Sequence, residues 1–372
     1  MSSFSLTLQY ALGVSMAAAA LLGAQPAAAE SKSFVIGSFL QAAYSYDGDC
    51  PDGLNPLPEE NFRRQLRANG YDEKKIEDIL SDLKGGNSGP LTRSELINRG
   101  RIDGVPVSAY TYPTSVKDIG FHEVKGKFAI GFNLDGLETE KNYEDPLTHE
   151  RGVDNQYWRA VGCNINHRGS PEVDPSKWML TWDNNRDKMP AWLFTVSGED
   201  LSKDGPVTVT FQKALERVTR DANGFVRADS TFRVDPDPRW ANKPMHGMIK
   251  DGMVSINEPS EIHLSGDPYH LTELDMTGAK LRLNMNPGLD GKINGVLGGY
   301  IPWQRVFFVY GSSGYNEETM LGTDIPSVFY ALRRHADAYP DPKTGEYTAI
   351  STSFRIVAVP AFAFAQTEKP QD

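Results

Sequence analysis

From Lys127 onward the chain returns repeatedly to a period of two. Phe128, Ile130, Phe132 and Leu134 alternate with Ala129, Gly131, Asn133 and Asp135. The pattern recurs at Trp192, Phe194 and Val196, at Val207, Val209 and Phe211, and at Leu281, Leu283 and Met285. In an extended chain successive side chains point to opposite faces, so this spacing gathers the large apolar groups on one face of a strand. Strands buried on one face only build antiparallel layers. The expected fold is therefore mainly β, an antiparallel β-sandwich. The stretch Asn286-Pro287-Gly288-Leu289-Asp290-Gly291 has turn chemistry and predicts a hairpin that continues from Lys292 to Tyr300, and Tyr347 to Val359 is a further strand.

Helical signals lie at the two ends. Pro58 to Ala68 carries Pro and acids in its first turn, Phe62 and Leu66 one turn apart, and Asn69-Gly70 as a stop. Asp72 caps a second predicted helix through Ile76, Ile79, Leu80 and Leu83, which Gly85-Gly86 end. Ser33 to Tyr46 is apolar without a clear period and fits a strand or a short helix. One long helix is expected near the C-terminus, capped by Asp324, with Pro326 in its first turn and Val328, Phe329, Leu332 and Ala336 on one face. Gly311 to Tyr315, "GSSGY", reads as a loop. The predicted organisation is an export signal over residues 1–29, a helical and loop N-terminal segment over 30–104, and a β-sandwich domain over 105–372.

The export signal rests on Ala11 to Ala24, a short apolar run followed by Gln25-Pro26 and the small-residue site Ala27-Ala28-Ala29. The mature chain is expected to begin at Glu30 in the periplasm or outside the cell, with no transmembrane segment. Lys and Arg number 38 against 49 Asp and Glu, a net charge of -11 that argues against nucleic acid as a partner. In an oxidising compartment the two cysteines, Cys50 and Cys163, are expected to pair with each other.

Cys50 sits in "YDGDCPDGLN", Tyr46 to Asn55, where a calcium loop is one reading. Such a loop needs oxygen ligands at its first, third and fifth positions, a glycine at the sixth and a glutamate at the twelfth. Asp47 and Asp49 fit, while Asp52, Gly53 and Glu59 fall one position late, as if a residue had been inserted at Cys50-Pro51. Across the bridge, Asp154 and Asn155 could complete the shell of an ion. The competing reading is a plain acidic turn anchored by Cys50.

A second constellation is Met245, His246, Met248 and Met253, with His263 and His270 beyond. Thioether and imidazole ligands suit copper, although Met also fills irregular core gaps. GxSxG is not present, so nucleophilic catalysis lacks that local signature. Trp192 is expected in the core, whereas Trp182 and Trp240 lie beside polar loops and are candidates for exposed stacking platforms. Together these features predict an exported, soluble binding protein for an unknown ligand or protein partner, with calcium as its candidate cofactor. The alternatives are a secreted hydrolase acting on a glycan or ester through an acid pair, and a copper-handling accessory protein.

Overall fold

A computed structural model describes residues 29–81, 90–168, 186–266 and 273–365. The export signal, Gly85-Gly86, Trp178, Trp182 and His270 lie outside the described residues. In chain order the strands are β1 (Glu30–Gln41), β2 (Gly100–Ile102), β3 (Val105–Val107), β4 (Tyr143–Glu144), β5 (Arg151–Val153), β6 (Pro190–Gly198) and β7 (Gly205–Arg217). They continue as β8 (Ser230–Val234), β9 (Met245–Lys250), β10 (Met253–Leu264), β11 (Leu274–Asn284), β12 (Ile293–Pro302), β13 (Ala338–Pro340) and β14 (Tyr347–Ala365). The helices are α1 (Pro58–Ala68), α2 (Glu73–Leu80), α3 (Pro90–Ile97), α4 (Gln156–Val161), α5 (Ile165–Arg168), α6 (Trp303–Leu321) and α7 (Ile325–His335).

The protein is mainly β, and eight of its strands close into an antiparallel barrel in the order β1-β6-β7-β9-β10-β11-β12-β14 and back to β1. This corrects the expected sandwich. The alternation of large and small side chains is the same in both architectures; what differs is whether the sheet keeps its edges. Here β14 is long enough to pair with β12 through Ala349–Ala358 and with β1 through Phe354–Ala361, while β7 pairs with β9 from Gly205↔Ile249 to Val209↔Met245. Register shifts in β1 between Ile36 and Ser38 and in β10 between Ile256 and Ser260 supply local bends of the kind that closure needs.

Ser33–Tyr46 resolves as the barrel strand β1 followed by irregular chain, and the hairpin around Asn286–Gly291 joins β11 to β12. The run Phe128–Leu134 forms no regular strand. Its residues make isolated bridges within the 127–155 segment, Phe128 to Glu144 and Phe132 to Asp154, and Lys280 and Arg282 of β11 tie that segment to the outside of the barrel through the Asn133 and Gly131 carbonyls.

The barrel interior is filled by apolar side chains such as Phe194, Phe211, Ile256, Leu281 and Leu297, and this core continues into α6 and α7 through Trp303, Tyr310, Val328 and Leu332. Asp72 and Asp324 cap α2 and α7 as predicted, accepting from Lys75 N and Ser327 N. The "GSSGY" stretch, read as a loop, is helical except at Gly314, whose backbone leaves the helical region and divides α6 into two helical runs. Trp303, Val306 and Tyr310 at helical spacing carry the helix through, and Gly314, at φ 36°, kinks it against the ring of Tyr110.

Candidate functional site

A groove of about 720 Å³ lies on the outer wall of the barrel. Its floor follows from strand alternation. Leu281 and Leu283 point into the barrel, so Arg282 and Asn284 point out, and the antiparallel register continues that outward set across the neighbouring strands. Arg282 pairs with Val296, Val296 with Arg355 and Arg355 with Leu40, making one row over four strands. A parallel row runs Asn284, Asn294, Val357 and Ser38.

One wall comes from the 127–155 segment, through Ile130, Asp145, Leu147 and Thr148. Asp145, nearly buried, holds this wall together: one carboxylate oxygen accepts from Leu147 N and Thr148 N at 2.8 and 3.0 Å, the other from Gly131 N at 3.1 Å and Arg282 Nη2 at 2.8 Å. Arg282 also donates to Glu150 at 2.9 Å and stacks over Phe132. The guanidinium thus rivets the wall to β11. Leu147 and Met253 leave apolar surface at the rim, and Arg355 donates to the Ala43 carbonyl at 3.0 Å.

Cys50 and Cys163 form the expected disulfide, with Cα atoms 5.8 Å apart. The six residues predicted to hold calcium are not brought together. Asp49 is buried and receives both Nη2 bonds of Arg168, at 2.7 and 2.8 Å; Asp52 pairs with Lys125, Glu59 with Arg63, and Asp47 is exposed. Asp154 and Asn155 are spent on backbone elsewhere: Asp154 accepts from Leu134 N, and Asn155 caps α4 and donates to the Ile130 carbonyl. The buried Asp49 carboxylate is offset by the Arg168 guanidinium.

Of the copper residues, Met245 points into the barrel core while His246, Met248 and Met253 point outward. Among the described residues no three His, Cys, Asp or Glu side chains converge as a metal site. Trp192 is core as expected. Trp240, expected to be exposed, is buried: His263 stacks on it with centroids 5.0 Å apart, and Lys213 and Arg239 cover it.

Asp154, buried, and Asp337, half-buried, are two acids whose charges bear on one another. Burial, reinforced by their mutual repulsion and that of Asp135, pushes Asp154 up to about 7, and burial pushes Asp337 up to about 6. Both are tied to backbone, Asp154 to Leu134 N and Asp337 to Ser351 N at 2.8 Å each, so they hold chain segments in place. Compared with protein-family models, curated proteins and solved structures, the chain shows no significant match.

The groove residues Arg282, Asn284, Asn294 and Arg355 escaped the sequence reading. Their signal was present as the polar members of the alternating strands, but which polar members share a surface depends on pairing between strands distant in the chain.

Proposed function

We propose that this is an exported binding protein whose ligand lies in the groove on the outer wall of the barrel. The observation that carries the reading is the groove itself: a concavity of about 720 Å³, within the usual range for small-molecule sites, with an apolar floor at Leu40, Val296 and Val357 and a few polar groups beside it. Pinning of the wall by Asp145 and Arg282 supports a preformed site. Export is supported by the apolar N-terminal run and by the disulfide, which belongs to an oxidising compartment.

The test is a melting-temperature screen of small amphipathic compounds, including short oligosaccharides and aryl glycosides, on the mature chain and on Val296→Trp, which fills the floor from its outer face. Compounds that raise the midpoint of the parent chain are expected to lose that effect in Val296→Trp. Hits that bind both chains equally would remove the groove from consideration. Calcium enters the same screen: the midpoint is expected to stay unchanged in EDTA, because Arg168, Lys125 and Arg63 already occupy the carboxylates of the Asp47 turn and its following helix.

A further inference from the structure

Across the floor of the outer groove one row of outward side chains runs Met253, Asn284, Asn294 and Val357, each the register partner of the next. All four line the groove. Val296, two residues beyond Asn294 on β12, shares its face and continues the apolar floor toward Leu40.

The two amides stand directly opposite each other, a placement that sets Cβ atoms about 5 Å apart. Asn284 Oδ1 accepts from Asn286 N at 3.0 Å, which fixes the orientation of that amide and leaves its Nδ2 as a donor. Among the described residues nothing engages this Nδ2 or any side-chain atom of Asn294. The pair therefore offers a donor and, beside it, a complete amide, with apolar side chains on either hand.

The charged groups around the groove are spent on the protein itself. Arg282 is shared by Asp145 and Glu150, and Arg355 donates to the Ala43 carbonyl, so that two guanidinium groups and two carboxylates balance. A charge brought in by a ligand would lose hydration without gaining a counter-ion. Among the described residues of the lining none is aromatic, and a sugar ring finds no face to stack on. What remains is aliphatic: Leu40, Val296 and Val357 on the floor, with Leu147, 70% exposed, and Met253, 39% exposed, at the rim. From β11 to β1 is three strand spacings, about 14 Å, room for an acyl chain of about eight carbons beside its head group.

We propose that the groove binds an uncharged aliphatic amide, its chain laid over Val296 and Val357 toward Leu40 and its head on Asn284 and Asn294. The ligand carbonyl accepts from Asn284 Nδ2, and the ligand N–H donates to Asn294 Oδ1. This assignment rests on the groove being the binding site and adds the class of its ligand. An ester of the same length makes only the first of these bonds, and a carboxylate or an ammonium arrives with a charge that nothing in the groove offsets.

The experiment compares melting midpoints of the mature chain in equal concentrations of octanamide, octanoate and octylammonium near neutral pH. Octanamide is expected to raise the midpoint by about 2 °C over the other two, and Val296→Trp to abolish that rise. Asn294→Asp keeps the shape and the acceptor oxygen at an exposed position and adds a negative charge, so it should transfer the preference from octanamide to octylammonium. Octanoate or octylammonium matching octanamide on the parent chain, with both effects lost in Val296→Trp, overturns the amide assignment and leaves the groove as the site. An octanamide effect that survives in Val296→Trp removes the groove and the assignment together. An Asn294→Asp chain that keeps the parent's order of preference overturns the amide head on Asn294. No rise with octanamide overturns the proposal, and the groove is then decided by the wider compound screen.

Discussion

Asp49 and Asp154 show how two buried acids meet different fates. Asp49 is paired with Arg168, so its charge is offset where it is buried. Asp154 has no cation and is surrounded by backbone N–H groups, Asp135 and Asp337, and its pKa rises to about 7. The folded state therefore binds these protons more tightly than the unfolded chain, for which aspartate lies near its ordinary value. The stabilisation from protonating Asp154 and Asp337 is full below about pH 4 and is lost as pH rises through about 6 and 7. Replacing Asp154 by Asn is expected to flatten the fall in stability between pH 5 and 8 by up to about one proton, read as the slope of unfolding free energy against pH. An unchanged slope would mean that Asp154 is already ionised in that range.

At the scale of elements, the 127–155 segment is short of regular structure, yet it forms a wall of the groove because one side chain of β11 ties it down. Arg282 is mostly buried beside Asp145 and also reaches Glu150. Arg282→Ala leaves Asp145 without its cation and is expected to cost about 2–4 kcal/mol in chemical denaturation. The same variant should speed amide hydrogen exchange in residues 145–150 above the rest of the chain, and equal exchange would show that the wall stands without the rivet. The kinked α6 carries a comparable lesson: "GSSGY" has loop composition, yet its residues are helical on both sides of Gly314, and only Gly314 leaves the helical region. Local propensity gave way to packing there.

For the whole molecule, the disulfide joins the turn before α1 to the loop between α4 and α5, spanning 113 residues. Replacing both Cys50 and Cys163 by Ser is expected to lower the unfolding free energy by about 2–5 kcal/mol, measured by denaturant titration under conditions where both chains unfold reversibly. The Arg168 guanidinium bonds both Asp49 and Cys50 Sγ, so the corner it organises should loosen with the bridge. A double variant as stable as the parent would show that the ion pair and the surrounding core of Val124 and Trp158 already hold this corner.

Residues near one another in the chain settle whatever short-range chemistry can specify. Alternation made the strands, Asp72 and Asp324 made their caps, Pro58 to Asn69 made α1, and two cysteines had one way to pair. Barrel closure was left to the tertiary structure, because pairing β1 with β14 and β7 with β9 depends on register between segments far apart in the chain. The groove depends on it for the same reason: Leu40, Arg282 and Arg355 share no local pattern and meet because a closed sheet sets which side chains of distant strands point outward together.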